Sequence, residues 1–167
     1  MSLTRGSHLA DGAGEAWWFL DTRMTVKAAG EATGGAYSLI EFAAPTGFGP
    51  PRHVHHAEDE GFYVLDGRLR VECGDDAWEV GPGGFVLLPR AVPHAFVVSS
   101  PEPVRALQLT SPGGFEGFVA EVGAPAAGPG LPVPAPPDVP RLAAAAARFG
   151  TDIVGPPLDV NSATPHA

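Results

Sequence analysis

The sequence predicts an all-β sandwich or barrel, and three observations carry that expectation. Between Trp17 and Thr110 short β-branched and aromatic runs recur about every ten residues, separated by Gly, Pro and Asp. That spacing suits sandwiches and barrels rather than βαβ units. The 22 glycines and 19 prolines are about a quarter of the 167 residues, a composition that favours turns over long helices. The run Arg68-Leu69-Arg70-Val71-Glu72 alternates polar and apolar side chains, as a half-buried strand does.

In chain order the predicted strands are Trp17–Leu20, Met24–Ala28, Ala36–Ala43, Phe62–Asp66, Arg68–Cys73, Ala77–Val80, Phe85–Pro89, Ala95–Val98 and Val104–Thr110. Asp66-Gly67 is read as a hairpin turn, because Asp-Gly supplies the positive φ that a tight turn needs. After Thr110, Ser111 is read as an N-cap and Pro112 as a first-turn residue of a helix stopping at Gly123. Its apolar stripe is Phe115, Phe118, Val119 and Val122. Residues 124–140 hold seven prolines and two glycines and read as an extended linker. Asp138 then caps a second helix through Ala143–Ala147, ending at Gly150. Residues 1–123 are thus read as the barrel with its packing helix, and 124–167 as a linker and helical tail. The tail is too short to fold alone, so it is assigned to the same domain, with the functional site expected to be independent of it.

Composition excludes several function classes. The formal charge is −9, with 19 acids against 10 bases, and Lys27 is the only lysine. Nucleic-acid binding needs clustered cations and is not expected. A single cysteine, Cys73, rules out an internal disulfide and a multi-cysteine metal site, and reads as a small buried hydrophobe. Apolar runs fall short of the roughly 18 residues of a membrane span. Met1 to Gly14 lacks the basic start and apolar block of a signal peptide, so a cytoplasmic location is expected.

The chemistry gathers around the histidines. His53 and His55 lie two apart, so on a strand both imidazoles face one way while His56 faces away, toward solvent. A turn would return a carboxylate to that face; Glu58, Asp59 and Glu60 compete for the place on distance alone. His94 arrives on a later strand. Three imidazoles and one carboxylate make a mixed nitrogen and oxygen site for a divalent transition metal. Phe62, Val64, Phe96 and Val98 are candidate walls of a substrate pocket, with plain core as the alternative. Arg52 and Arg90 flank the site, and solvated guanidinium heads are expected of both.

These residues fill two motifs in order. The first reads Gly47-FGPPR-His53-Val54-His55-HAED-Glu60-GFYVLD-Gly67, and the second Gly83-GFVLL-Pro89-Arg90-Ala91-VP-His94-AFV-Val98. Together they resemble the cupin motifs, the second departing at Ala91, where the family has Gly, and at Val98, where it has Asn. The family spacing singles out Glu60 among the three carboxylates. The resemblance implies a double-stranded β-helix (RmlC-like jelly-roll barrel). It also implies one divalent metal per chain held by His53, His55, Glu60 and His94: iron, nickel, manganese, cobalt, copper or zinc. A looser similarity reaches single-domain bacterial proteins of the quercetin 2,3-dioxygenase-like kind. That implies a mononuclear dioxygenase joining a flavonol-like or other enolic small molecule to dioxygen, with Glu60 as base. The alternatives are a redox-silent metal-assisted isomerase, cyclase or lyase, and a non-enzymatic small-ligand binder. A homodimer is expected from the resemblance and from the edge strands an open barrel must protect.

Overall fold

The computed structural model describes residues 6–161, so the first five residues of the segment read for a signal peptide lie outside it. The strands are β1 (Glu15–Phe19), β2 (Thr22–Ala28), β3 (Ser38–Ala44), β4 (Pro51–His55), β5 (Asp59–Asp66), β6 (Leu69–Cys73), β7 (Asp76–Val80), β8 (Phe85–Leu88), β9 (His94–Val98) and β10 (Val104–Ser111). Helix α1 (Phe115–Val122), β11 (Ala124–Pro125), α2 (Val139–Arg148) and β12 (Thr151–Pro157) complete the chain. One antiparallel sheet has the order β11-β1-β2-β3-β10-β5-β8 and the other β12-β4-β9-β6-β7. The two face each other across one apolar core, the arrangement of a double-stranded β-helix.

Alternation along each strand decides what faces that core. On β3 the inward residues are Ser38, Ile40, Phe42 and Ala44; on β10 they are Val104, Ala106, Gln108 and Thr110. Register aligns them in levels: Ser38, Thr110 and Glu60 at one end, then Ile40, Gln108 and Phe62, then Phe42, Ala106 and Val64. Across the core, His94, Phe96 and Val98 pair with Cys73, Val71 and Leu69. The inward faces therefore change from apolar to polar toward one mouth of the barrel. Beneath that mouth Phe42, Phe62 and Phe96 meet edge to face, with ring centroids 5.1 to 5.8 Å apart. Such pairs contribute about 0.5–1.5 kcal/mol each beyond the area they bury.

Several expectations need correction. Asp66-Gly67 does turn tightly, with Gly67 at φ 75°, but it carries the chain from one sheet to the other rather than closing a hairpin. A Cβ at Gly67 would also meet the Pro103 carbonyl oxygen at 2.9 Å. Ser111 ends β10 instead of capping α1, whose N-cap is Gly114 without a side-chain cap. The second helix is as read: Asp138 Oδ1 accepts from the Arg141 amide at 3.1 Å, and Gly150 at φ 70° follows its end. The tail then continues as β12, which no local pattern announced, and pairs with β4. Helix α2 buries Leu142, Ala145 and Ala146, and Phe149 just beyond it stacks on Phe118 of α1 at 5.7 Å. Among the described residues no helix is long and apolar enough to cross a membrane.

Ala91, in the turn before β9, sits at φ 63°, and its amide donates to the His55 carbonyl at 2.7 Å. That left-handed conformation costs an L-residue about 1–2 kcal/mol, against which glycine's greater freedom in the unfolded chain must be set. Ala91→Gly is expected to raise the Tm of the metal-free protein by roughly 2–4 °C, a gain of about 1 kcal/mol at most. A lower Tm in thermal unfolding would show that the turn carries no such strain.

Candidate metal centre

Three strands bring the four candidate ligands to the polar mouth. β4 supplies His53 and His55, β5 supplies Glu60 and β9 supplies His94, with His53 and His94 directly opposed across β4 and β9. One ligand atom from each lies within 4.8 Å of the other three. The imidazole centroids are 4.5 Å (His53 and His94), 5.0 Å (His53 and His55) and 5.4 Å (His55 and His94) apart. His55, Glu60 and His94 are buried, and His53 is half-buried where the pocket opens.

The electrostatics of this cluster ask for a cation. His55 Nε2, His94 Nε2 and Glu60 Oε2 are buried without a hydrogen-bond partner, although His94 Nε2 approaches Glu60 Oε2 to 3.3 Å. Buried polar atoms are nearly always satisfied, so these converging orphans fit a bound cation. Nitrogen and carboxylate oxygen donors around bonds of about 2.0–2.2 Å suit divalent transition metals. The donor set fits the expected group.

Behind the ligands, hydrogen bonds fix which ring nitrogen faces inward. His53 Nδ1–H donates to the Pro51 carbonyl at 2.7 Å and His94 Nδ1–H to the Val92 carbonyl at 3.0 Å. His55 Nδ1 lies 2.9 Å from Glu58 Oε1 and 3.0 Å from Thr151 Oγ1. Gln108, inward on β10 and diagonal to Glu60, donates from Nε2 to Glu60 Oε1 at 2.6 Å, leaving Oε2 to the site. This arrangement matches the way metal-binding imidazoles and carboxylates are oriented by outer partners.

Titration follows from these contacts. Burial pushes the Glu60 carboxyl up, but His94, His55 and His53 around it pull it down to about 2. Burial dominates at His53 and, despite Glu60, lowers it to about 4. For His55 burial also acts downward, yet the Glu58 hydrogen bond and the charges of Glu60 and Glu58 raise it above its ordinary value near 6.5.

The competition among the three adjacent carboxylates is resolved by where each side chain lands. Glu58 reaches His55, Glu60 points inward, and Asp59 is held outside by Arg90 through contacts of 2.8 to 3.0 Å. Those bonds lower Asp59 to about 2. Arg90 is therefore tied to Asp59, and Arg52 to Glu72, rather than free as solvated heads. His56 points away, exposed and 2.8 Å from Asp152.

A pocket of about 70 Å³, room for several waters or the head of a small molecule, opens above the cluster. Besides His53, His55, Glu60 and Gln108 its walls are mostly apolar: Phe19, Leu20, Met24, Phe48, Pro50, Pro51 and Phe96 from the barrel, Phe115 and Phe118 from α1. Leu142 and Ala146 of α2 and Thr151 and Ile153 of β12 close the last side, so the tail is part of the site rather than independent of it. Of the expected pocket walls, Phe96 lines the cavity, whereas Phe62, Val64 and Val98 lie in the core and do not line it. Cys73 is buried, which pushes its thiol up and makes it a poor nucleophile.

Two facing antiparallel sheets with a His/His/Glu/His cluster at one mouth are the arrangement that the two motifs implied. Residues 40–110 match the family described as Cupin domain. It is 28% identical over 117 residues to the quercetin 2,3-dioxygenase of Bacillus subtilis (strain 168), an alignment covering 70% of this chain and 34% of that one. The chain thus spans about a third of that relative's length. KdgF from Halomonas sp. superposes with a TM-score of 0.58 at 20% identity, covering 67% of this chain and 98% of that one. The polyketide cyclase RemF from Streptomyces resistomycificus does so at 0.55 and 23%, over 64% and 80%. The two structural likenesses are of fold.

Gln108 and Thr151 were not among the residues singled out from the sequence for this site, and Glu58 entered there only as a competitor of Glu60 for the ligand place. Gln108 carried a signal, a polar side chain in the inward phase of a strand with Val104 and Ala106. Thr151 carried none, since its place depends on pairing with a strand far away in sequence.

Metal binding needs neutral imidazoles, so a proton on His55 competes with it while His53 is already neutral. Affinity is expected to fall about tenfold per pH unit once the pH drops below the raised His55 value, one proton being displaced per ion. Glu58→Gln removes the charge that raises His55 and should move this fall to lower pH. Chelator competition across the range checks both, and an affinity that does not fall on acidification, or a fall that Glu58→Gln does not move, would contradict the assignment.

Proposed function

We propose that the protein is a metal-dependent cupin enzyme, a mononuclear dioxygenase acting on a flavonol-like or other enolic small molecule. The observation that carries this reading is the buried cluster of unpaired imidazole and carboxylate atoms opening into an apolar pocket. His53, His55, Glu60 and His94 would hold one divalent ion, which when bound supplies Lewis-acid and redox chemistry.

The chain's own residues provide the rest. Glu60 is ionised, and Gln108 occupies its Oε1, so Oε2 is the atom that would hold the ion and, once released from it, would take the enol proton. Phe48, Phe96 and Phe115 offer ring faces and edges to an aromatic substrate and exclude water from the proton transfer. No Lys or Arg is among the residues lining the pocket, which argues against a substrate recognised through phosphate. The 28% identity with a quercetin 2,3-dioxygenase supports the reaction class.

Purified protein is expected to carry close to one divalent metal per chain by elemental analysis, and His94→Ala to lose most of it. Wild type and variant both metal-free after expression in metal-supplemented medium would overturn the site. Glu60→Gln keeps a coordinating carbonyl but cannot accept the proton, so turnover should fall about 10²–10⁴-fold while part of the metal stays. Oxygen consumption by the metal-loaded protein over a panel of flavonols and other enols tests the reaction. Wild-type oxygen uptake by Glu60→Gln removes Glu60 as base. Turnover without oxygen replaces the dioxygenase by an isomerase, cyclase or lyase, and no turnover at all leaves a binding protein.

A further inference from the structure

His55 differs from the other two imidazoles of the cluster in how it is held. His53 and His94 each donate to a backbone carbonyl two residues earlier on their own chain segment, at Pro51 and Val92. Any sequence that folds as these strands provides those carbonyls. His55 instead depends on two side chains, the Glu58 carboxylate at 2.9 Å and the Thr151 hydroxyl at 3.0 Å. Glu58 comes from the adjoining turn, but Thr151 comes from the far side of the Pro-rich linker.

The backbone brings Thr151 there by design of the register. β12 pairs with β4 so that Thr151 faces His55 and Ile153 faces His53, with Asp152 opposite Val54 between them. Directly opposed residues on antiparallel strands put their side chains on one face, so Thr151 and Ile153 point to the pocket that both line. The His56 amide donates to the Gly150 carbonyl at 2.9 Å and locks the turn that starts β12. Thr151 is itself buried, so water does not compete for its hydroxyl.

We propose that Thr151 is a positioning residue of the metal centre, sharing the His55 Nδ1–H with Glu58 so that Nε2 is presented to the ion. The C-terminal segment is thereby a working part of the site. The inference rests on the metal-centre reading and is independent of the reaction the site performs. Removing a partner behind a metal-binding imidazole typically weakens metal binding about 10–100-fold.

Cobalt(II) serves as the probe, in the full chain. Thr151→Val keeps the β-branched shape suited to a strand and removes only the hydroxyl; it should weaken cobalt(II) binding at least about tenfold in chelator competition. The visible absorption of the bound cobalt(II) should change as the His55 ring reorients, a signature that loss of packing alone would not produce. Thr151→Ser should restore affinity and spectrum. Asp152→Asn, altered on the outer face where it meets His56, should leave both as in wild type. With Glu58→Gln in the same background the two losses should be less than additive, since both act on one N–H. Thermal unfolding of the metal-free proteins reports whether each variant folds, and Thr151→Ala carries the test if the valine variant does not. Wild-type affinity and an unchanged spectrum in the hydroxyl-free variant would overturn the positioning role while leaving the metal centre standing. Absence of cobalt(II) binding by wild type would instead overturn the metal centre, and this inference with it.

Discussion

Three imidazoles and a carboxylate gather at one mouth of this barrel, and the buried inward atoms of His55, His94 and Glu60 are left without a hydrogen-bond partner. Burying such groups unpaired costs of order 1–3 kcal/mol for each neutral one and more for the charge. The surrounding structure must supply that free energy, and it does so through the apolar floor below. Phe42, Phe62 and Phe96 fill the space directly beneath the cluster, backed by the fully buried Val64, Leu69, Val71 and Val98. A divalent ion bound there would offset the polar cost, because it would satisfy these orphans at once. Metal binding and folding would then be linked, the ion stabilising the native state by an amount set by its affinity and concentration.

That constraint explains the division of labour among Glu58, Asp59 and Glu60. Adjacent residues of like charge cannot all approach one ion without repelling one another. Strand alternation sends Asp59 to Arg90 on the outside and Glu60 to the ion's position inside, while Glu58, in the turn before the strand, reaches back to His55. Gln108 then holds Glu60 through one oxygen and leaves the other available. Each ligand is aimed by a partner that is itself buried or anchored, which keeps the cluster ordered despite internal repulsion among the imidazoles. The surrounding imidazoles of His94, His55 and His53 keep Glu60 ionised against the effect of burial.

The C-terminal segment joins the chain's far end to this chemistry. α2 and β12 wall the pocket with Leu142, Ala146, Thr151 and Ile153, and Phe149 docks on Phe118. The Arg148–Glu121 ion pair and the His56–Asp152 contact are exposed and add little to stability; apolar burial of Leu142, Ala145 and Ala146 carries the attachment. Because the linker before α2 is rich in proline, its ordering costs less entropy than a flexible linker would.

From the sequence alone the all-β class, the helix caps at Asp138 and Gly150, and the shared face of His53 and His55 could be derived. All of these are local: period-two alternation, turn chemistry and the two-residue spacing of imidazoles on a strand. The choice of Glu60 over its neighbours came from the resemblance to a known motif, and its physical reason became visible only in the strand register. Tertiary structure decided the rest. Asp66-Gly67 looked like a hairpin because a positive φ permits one, but the turn's conformation does not say which strand comes next to which. Phe62, Val64 and Val98 shared the inward phase of the ligands, and phase does not tell depth, so they proved to be floor rather than wall. Thr151 and β12 were invisible for the most general reason: a strand that follows Gly150 with no pattern of its own is specified by the edge it pairs with, and that edge lies 96 residues earlier at His55.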